Sequence, residues 1–158
     1  MSQALFKPAI AIAIGLGLSV TAAGQTQDTD IRPNADQLTP EQIEAVFSNA
    51  EMDGAYNFGL NGKAYSFYRE THKPDGSVIY EEDGHSEPGR WFVREDALCF
   101  TYPSDLLAGG CFRVYRIENC YYFYSTARRQ TATENNEPYW IARAVKRGER
   151  AGCEQAIS

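Results

Sequence analysis

Apolar and polar residues alternate along most of this chain, and the alternating runs are punctuated by turn-forming residues. Tyr56, Phe58 and Leu60 alternate up to Asn61-Gly62, a pair suited to a tight hairpin turn. Ala64 to Glu70 alternates again, with Tyr65 and Phe67 on one face, and Pro74-Asp75-Gly76 marks the next turn. Val78 and Tyr80 open a strand that runs into Glu81-Glu82-Asp83-Gly84. Pro88-Gly89 precedes a strand holding Trp91 and Val93, and Glu95-Asp96 turns the chain into Leu98 to Tyr102. A loop from Pro103 to Gly110 leads to Phe112 to Tyr115, and Glu118-Asn119 turns into Cys120 to Tyr124. A polar loop from Ala127 to Glu137 leads to a last strand around Trp140 to Val145. Ahead of the strands the spacing changes. Ile43, Val46 and Phe47 share a face at helical period, Thr39 can cap that helix, and Pro40 suits its first position. Gln42 completes a T-x-x-Q capping box, and the helix should end near Asn49 or Glu51, ahead of Gly54.

About eight short antiparallel strands at regular spacing predict an all-β fold. Consecutive tight turns favour an up-and-down, lipocalin-like barrel, because closing the meander removes exposed sheet edges. The aromatic content of 13% suits pleated, half-buried walls. Side-chain parity places Leu98, Phe100, Phe112 and Val114 inside, and Cys99, Thr101, Cys111 and Arg113 on the outer wall.

The start of the chain reads differently. Lys7 precedes an apolar stretch from Ala9 to Val20, and Thr21-Ala22-Ala23-Gly24 supplies a small-residue exit. That is the pattern of a secretory signal peptide over residues 1–24. The apolar stretch is shorter than the roughly 20 residues that span a bilayer, so no membrane insertion is expected after cleavage. Residues 25–38 are polar and without periodicity and read as a flexible linker, leaving residues 39–158 as one helix-plus-barrel domain. The expected compartment is periplasmic or extracellular.

Four cysteines suit two disulfides in such a compartment. Of the three pairings, Cys99–Cys111 across a hairpin and Cys120–Cys153 as a tail tether fit the turns best. No C-x-x-C pair points to zinc. The net charge of −6 makes nucleic acid and anionic lipid poor partners. The basic stretch from Arg143 to Arg150 reads as a solvated strand end.

No catalytic constellation stands out. His72 and His85 lack a metal-ligand spacing, and Glu81, Glu82 and Asp83 beside His85 read as an exposed acidic turn. Ser86 adjoins His85, but neighbours on a strand face opposite ways, and there is no G-x-S-x-G elbow. No glycine-rich phosphate loop opens a helix. No cofactor, no metal and no catalytic residue is therefore assigned. The rings remain: Tyr65, Phe67, Trp91, Tyr121, Phe123 and Trp140 are the candidate ligand-contacting wall, although so many large side chains favour a filled interior over a cavity.

The segment Gly89-Arg90-Trp91, Ala97 to Tyr102 and Gly110 to Tyr115 resembles a family of small exported alphaproteobacterial domains of unknown function. In that family a G-x-W strand precedes an L-C-aromatic strand and a C-aromatic-x-V strand. The resemblance implies an exported β domain and carries no activity with it. Gly89-Arg90-Trp91 is also similar to the lipocalin G-x-W, which lipocalins carry on the first strand and this chain near the fourth. The expected function is non-enzymatic binding of a small amphipathic ligand or of an envelope protein or glycan. The alternatives are an envelope saccharide hydrolase using loop carboxylates and a protein inhibitor or structural partner acting through a loop. N-terminal sequencing of the fractionated protein should find a mature start between Ala22 and Gln25; an intact leader in the membrane pellet would refute the export reading.

Overall fold

The computed structural model describes residues 35–56, 66–104, 109–127 and 140–152. Its architecture is a closed eight-stranded antiparallel barrel with one short helix across one end. A two-residue strand β1 (Asp36–Gln37) leads into helix α1 (Pro40–Phe47). Then come β2 (Glu51–Tyr56), β3 (Phe67–His72), β4 (Ser77–Glu82) and β5 (His85–Arg94). The wall continues with β6 (Ala97–Thr101), β7 (Gly110–Ile117), β8 (Cys120–Ser125) and β9 (Ala142–Lys146). From β2 to β9 each strand pairs with the next, β9 pairs with β2 to close the wall, and β1 adds to β7.

The helix forms as its capping box requires. The Thr39 hydroxyl accepts from the Gln42 N–H at 3.3 Å, and the Gln42 side chain accepts from the Thr39 N–H at 2.8 Å. Ile43 and Phe47 point into the barrel end, where the Phe47 ring meets His72, Tyr121 and Phe123 edge-on. The helix stops at Phe47, earlier than expected, because Asn49 turns the chain at a positive φ of 56° and β2 starts at Glu51 opposite Thr71. The expected linker also ends in structure. Asp36 and Gln37 pair with Arg116 and Tyr115 on the part of β7 that extends beyond the start of β6.

The β5 strand is longer than the sequence suggests, because Pro88 lies within it. The Trp91 N–H bonds the Gly76 carbonyl on the β4 side, so alternation points the Pro88 nitrogen toward β6. β6 ends at Thr101, opposite Arg90, so no ladder acceptor waits there and proline is tolerated. The Asp83-Gly84 turn, with φ of 48° and 79°, is the tight hairpin that joins Glu82 directly to His85. The expected strand through Phe58 and Leu60 and the Asn61-Gly62 turn lie outside the described residues.

Cys99 and Cys111 are directly opposite on β6 and β7 and form the expected disulfide, on the outer wall. Cys120 is disulfide-bonded too, and its expected partner, Cys153, lies outside the described residues. The interior core joins Leu98, Phe100 and Val114 to Ile43, Phe47 and Trp91, with Phe112 packed against it, as the parity predicts. A second cluster on the outer wall packs Cys120, Tyr122, Tyr124, Trp140 and Val145, so every residue of β8 is buried. Arg143, expected on a solvated strand end, is instead buried in this region with its guanidinium 5.4 Å from the centre of the Trp140 ring. No helix among the described residues is long and apolar enough to cross a membrane.

Trp91 seals the helix-covered end. It is buried, and its indole N–H donates to the Lys73 carbonyl at 2.9 Å. Trp91→Ala should cost about 3–5 kcal/mol in denaturant unfolding, the usual range for a large buried ring. A loss below about 1 kcal/mol would show that Trp91 does not support the core.

Candidate functional site

The inner wall has two chemistries. The half under α1 is apolar. The half toward the opposite end carries a pattern of tyrosine and glutamate that follows from strand register. On β3 the inward residues are Tyr68, Glu70 and His72; on β4 they are Val78, Tyr80 and Glu82; on β5 they include His85, Glu87 and Gly89. Tyr68 stands opposite Glu82, and Glu82 opposite His85. One step deeper, Glu70 stands opposite Tyr80, and Tyr80 opposite Glu87. Acid and ring thus alternate both along and across the strands.

Hydrogen bonds lock the pattern. Tyr102 donates to Glu70 at 3.1 Å, and His72 Nε2 lies 3.1 Å from the other oxygen of that carboxylate. Tyr80 donates to Glu82. Glu87 accepts from the Ser104 N–H at 2.9 Å and from the Ser104 hydroxyl at 2.6 Å. Glu70, Glu82 and Glu87 are all buried, yet their register neighbours on this wall include no lysine or arginine. A buried carboxylate without lysine or arginine needs other hydrogen-bond donors, and tyrosines and a serine supply them here, with His72 beside Glu70 and His85 3.4 Å from Glu87.

The titration behaviour follows. Burial, reinforced by the negative charge of Glu70, pushes the Tyr56, Tyr68 and Tyr102 hydroxyls well above the usual tyrosine value. Burial and contact with Tyr56 do the same for Tyr80. These groups remain protonated donors at any physiological pH. At the rim, the Ser104 hydroxyl holds the Glu87 carboxyl below its ordinary range.

Two glycines make the arrangement possible. A methyl group on Gly54 would come within 2.2 Å of the Tyr68 ring, and one on Gly89 within 2.5 Å of the Tyr102 ring. Both rings therefore lie flat against the wall. Tyr68 then reaches Tyr56, with ring centres 4.5 Å apart, and Tyr80, at 5.9 Å, while Tyr80 meets Tyr102 at 5.9 Å. The rings pack into a floor, with Glu82 level with Tyr68, and Glu70 and Glu87 level with Tyr80.

The expected ligand wall is divided by the structure. Tyr121 and Phe123 face inward, but in the half sealed by Phe47, and Trp91 belongs to the same sealed end. Phe67 is on the outer wall and is 45% exposed, because the inward set on β3 is Tyr68, Glu70 and His72. Trp140 also lies outside, edge-on to Tyr122. Tyr65 lies outside the described residues. The acidic turn is divided too: Glu82 faces in, whereas Glu81 faces out toward Arg69. Among the described residues no group of three metal-ligating side chains comes together.

Sequence reasoning assigns no site role to Glu70, Tyr80, Glu87 and Tyr102, and it places Glu82 in an exposed acidic turn, whereas the structure buries it. The signal was present as Tyr68-x-Glu70-x-His72, Tyr80-x-Glu82 and His85-x-Glu87, three strands with ring or imidazole and acid on one face. Strand carboxylates ordinarily face solvent, so the pattern alone does not mark them as interior. Set against family models, curated proteins and solved structures, the chain matches none.

Gly54→Ala should destabilise the fold by about 1–3 kcal/mol through overpacking against Tyr68. Urea unfolding should show that most of this loss disappears in a Tyr68→Val background; equal losses in both backgrounds would mean that the glycine serves the backbone alone.

Proposed function

We propose that this disulfide-bonded barrel is an exported, non-enzymatic binding domain. Its site is the tyrosine–glutamate wall in the half of the barrel opposite α1, and its ligand is a small amphipathic molecule whose polar part donates hydrogen bonds. The observation that carries this reading is the set of three buried glutamates without a lysine or arginine partner on their wall. Replacing such groups by well-packed apolar residues is often neutral or stabilising, so their presence in a barrel interior points to use rather than to stability. Carboxylates accept, aromatic faces attract cationic groups, and the tyrosine floor offers apolar surface for the rest of the ligand. A nearby His72 does not make a hydrolytic pair here, since its imidazole is enclosed by Phe47, Trp91 and Phe100 on the sealed side.

Native mass spectrometry of the protein purified from its own periplasm tests the reading directly, with titration by a long-chain alkylamine as a defined probe. Glu82→Gln combined with Tyr80→Phe should weaken alkylamine binding at least about tenfold, equivalent to 1.4 kcal/mol. Circular dichroism should show the fold retained. Failure to bind either a co-purifying molecule or the alkylamine would reduce the wall to a structural network.

A further inference from the structure

The Cys99–Cys111 bond has chemistry that neither the core nor the tyrosine–glutamate wall uses. Its two sulfurs are unequal. Cys99 is fully buried, whereas Cys111 is half-buried on the outer wall. An incoming thiol therefore meets the Cys111 sulfur first. That sulfur accepts a hydrogen bond at 3.1 Å from the guanidinium of Arg94, an exposed side chain at the end of β5. Among the described residues Arg94 forms no ion pair with a carboxylate, unlike Arg113, which is taken up by Asp96 at 2.9 Å. An unneutralised cation thus stands at the accessible sulfur.

The bond also adds little that the sheet does not already hold. Cys99 and Cys111 are directly opposite on β6 and β7. The Cys111 carbonyl accepts from the Thr126 N–H on the β8 side. Toward β6 the two cysteines therefore form a non-hydrogen-bonded pair, the kind whose side chains approach most closely. With the bond open, the ladder still keeps the two sulfurs side by side. The sequence separation is 12, a short loop that constrains the unfolded chain less than a long one would. The seam itself is short. β6 and β7 are in register only from Leu98 opposite Phe112 to Phe100 opposite Gly110, whereas β7 and β8 run in register from Phe112 to Ile117. Leu98 and Phe100 belong to the interior core, so the fit of this seam reaches inward.

We propose that Cys111 is a site of thiol–disulfide exchange with a small anionic thiol, and that the bond is a removable brace on the β6–β7 seam. The thiolate attacks the Cys111 sulfur. A new S–S bond forms to Cys111, the Cys99–Cys111 bond breaks, and its electron pair leaves on Cys99. A buried thiolate is costly, so Cys99 takes a proton from solvent, equal to the one the attacking thiol released. The neutral Cys99 thiol is a weak nucleophile, and the mixed disulfide on Cys111 persists. No separate oxidant or reductant is consumed, and return attack by deprotonated Cys99 expels the small thiol. Arg94 draws the anion in and offsets the negative charge that the three sulfurs share during attack. This reading stands independently of the tyrosine–glutamate wall.

The probes are reduced glutathione, which is anionic, and cysteamine, which is cationic. Each is applied to the full mature protein under native conditions and followed by intact mass and peptide mapping. Glutathione should add to Cys111 and leave Cys120, which is buried and disulfide-bonded, unmodified. Arg94→Gln, with circular dichroism unchanged, should slow the glutathione reaction about fivefold, the effect of one charge at contact distance in water, and should not slow cysteamine. Arg94→Lys should keep most of the glutathione rate. Hydrogen exchange of the glutathione adduct should quicken in β6 and β7 and not in β3 and β4. Absence of an adduct on Cys111 of the folded protein overturns the proposal, as does equal slowing of both thiols or slowing of neither. Unchanged exchange in β6 and β7 overturns the brace.

Discussion

The pairing of β9 with β2 is the contact on which the rest of this molecule depends. Met52 to Tyr56 meet Ala142 to Lys146 in register, and that ladder turns an open meander into a closed wall. Closure gives every strand an inside and an outside. It also removes the two edges that the meander would leave unpaired. Without it, Gly54 would have no interior in which to seat the Tyr68 ring, and Phe47 would have no barrel end to plug. The pairing joins segments far apart in the chain, so the loop-closure entropy it costs is offset by the burial that follows.

Within the closed wall, the interior divides along its axis. Under α1, apolar rings and aliphatic chains pack around Trp91 and Phe47, and this half supplies hydrophobic stabilisation. Toward the opposite end, glutamates and tyrosines replace them. The two halves meet at Glu70 and His72, whose hydrogen bond lies between Tyr102 on one side and the Phe47, Trp91 and Phe100 rings on the other. A polar network is tolerated there because its donors come from four different strands or strand extensions, each held by its own ladder. The network is incomplete at one atom: His72 Nδ1 is buried with no hydrogen-bond partner among the described residues, where burial of a polar atom carries a cost.

The outer wall has its own specialisation. The disulfide ties β6 to β7, and Arg94 donates to the Cys111 sulfur at 3.1 Å. Gln37 and Arg113 both donate to Asp96, which fastens β1 to the β5–β6 turn and so sets the approach of α1. The position of the helix therefore depends on a short polar cluster outside the barrel. Exposed ion pairs such as Arg69–Asp53 and Arg147–Glu51 add little stability by comparison.

Several features were legible from sequence because each rests on local chemistry. The capping box at Thr39, the turns at Pro74-Asp75-Gly76 and Asp83-Gly84, and the alternation of Leu98, Phe100, Phe112 and Val114 all act over a few residues. From these the helix, the strand order and the Cys99–Cys111 pairing follow. Alternation, however, says which side chains share a face and not which face is inside. On β6 and β7 the apolar set decides. On β3 to β5 both faces carry aromatic and charged residues, and the pattern is ambiguous: Phe67 with Arg69, or Tyr68 with Glu70. Only the tertiary structure resolves it, because the donors that make Glu70, Glu82 and Glu87 acceptable indoors come from other strands, and the glycines that seat their tyrosines lie across the wall. Burial of a carboxylate is a property of its assembled neighbours, and those neighbours meet only when the barrel closes.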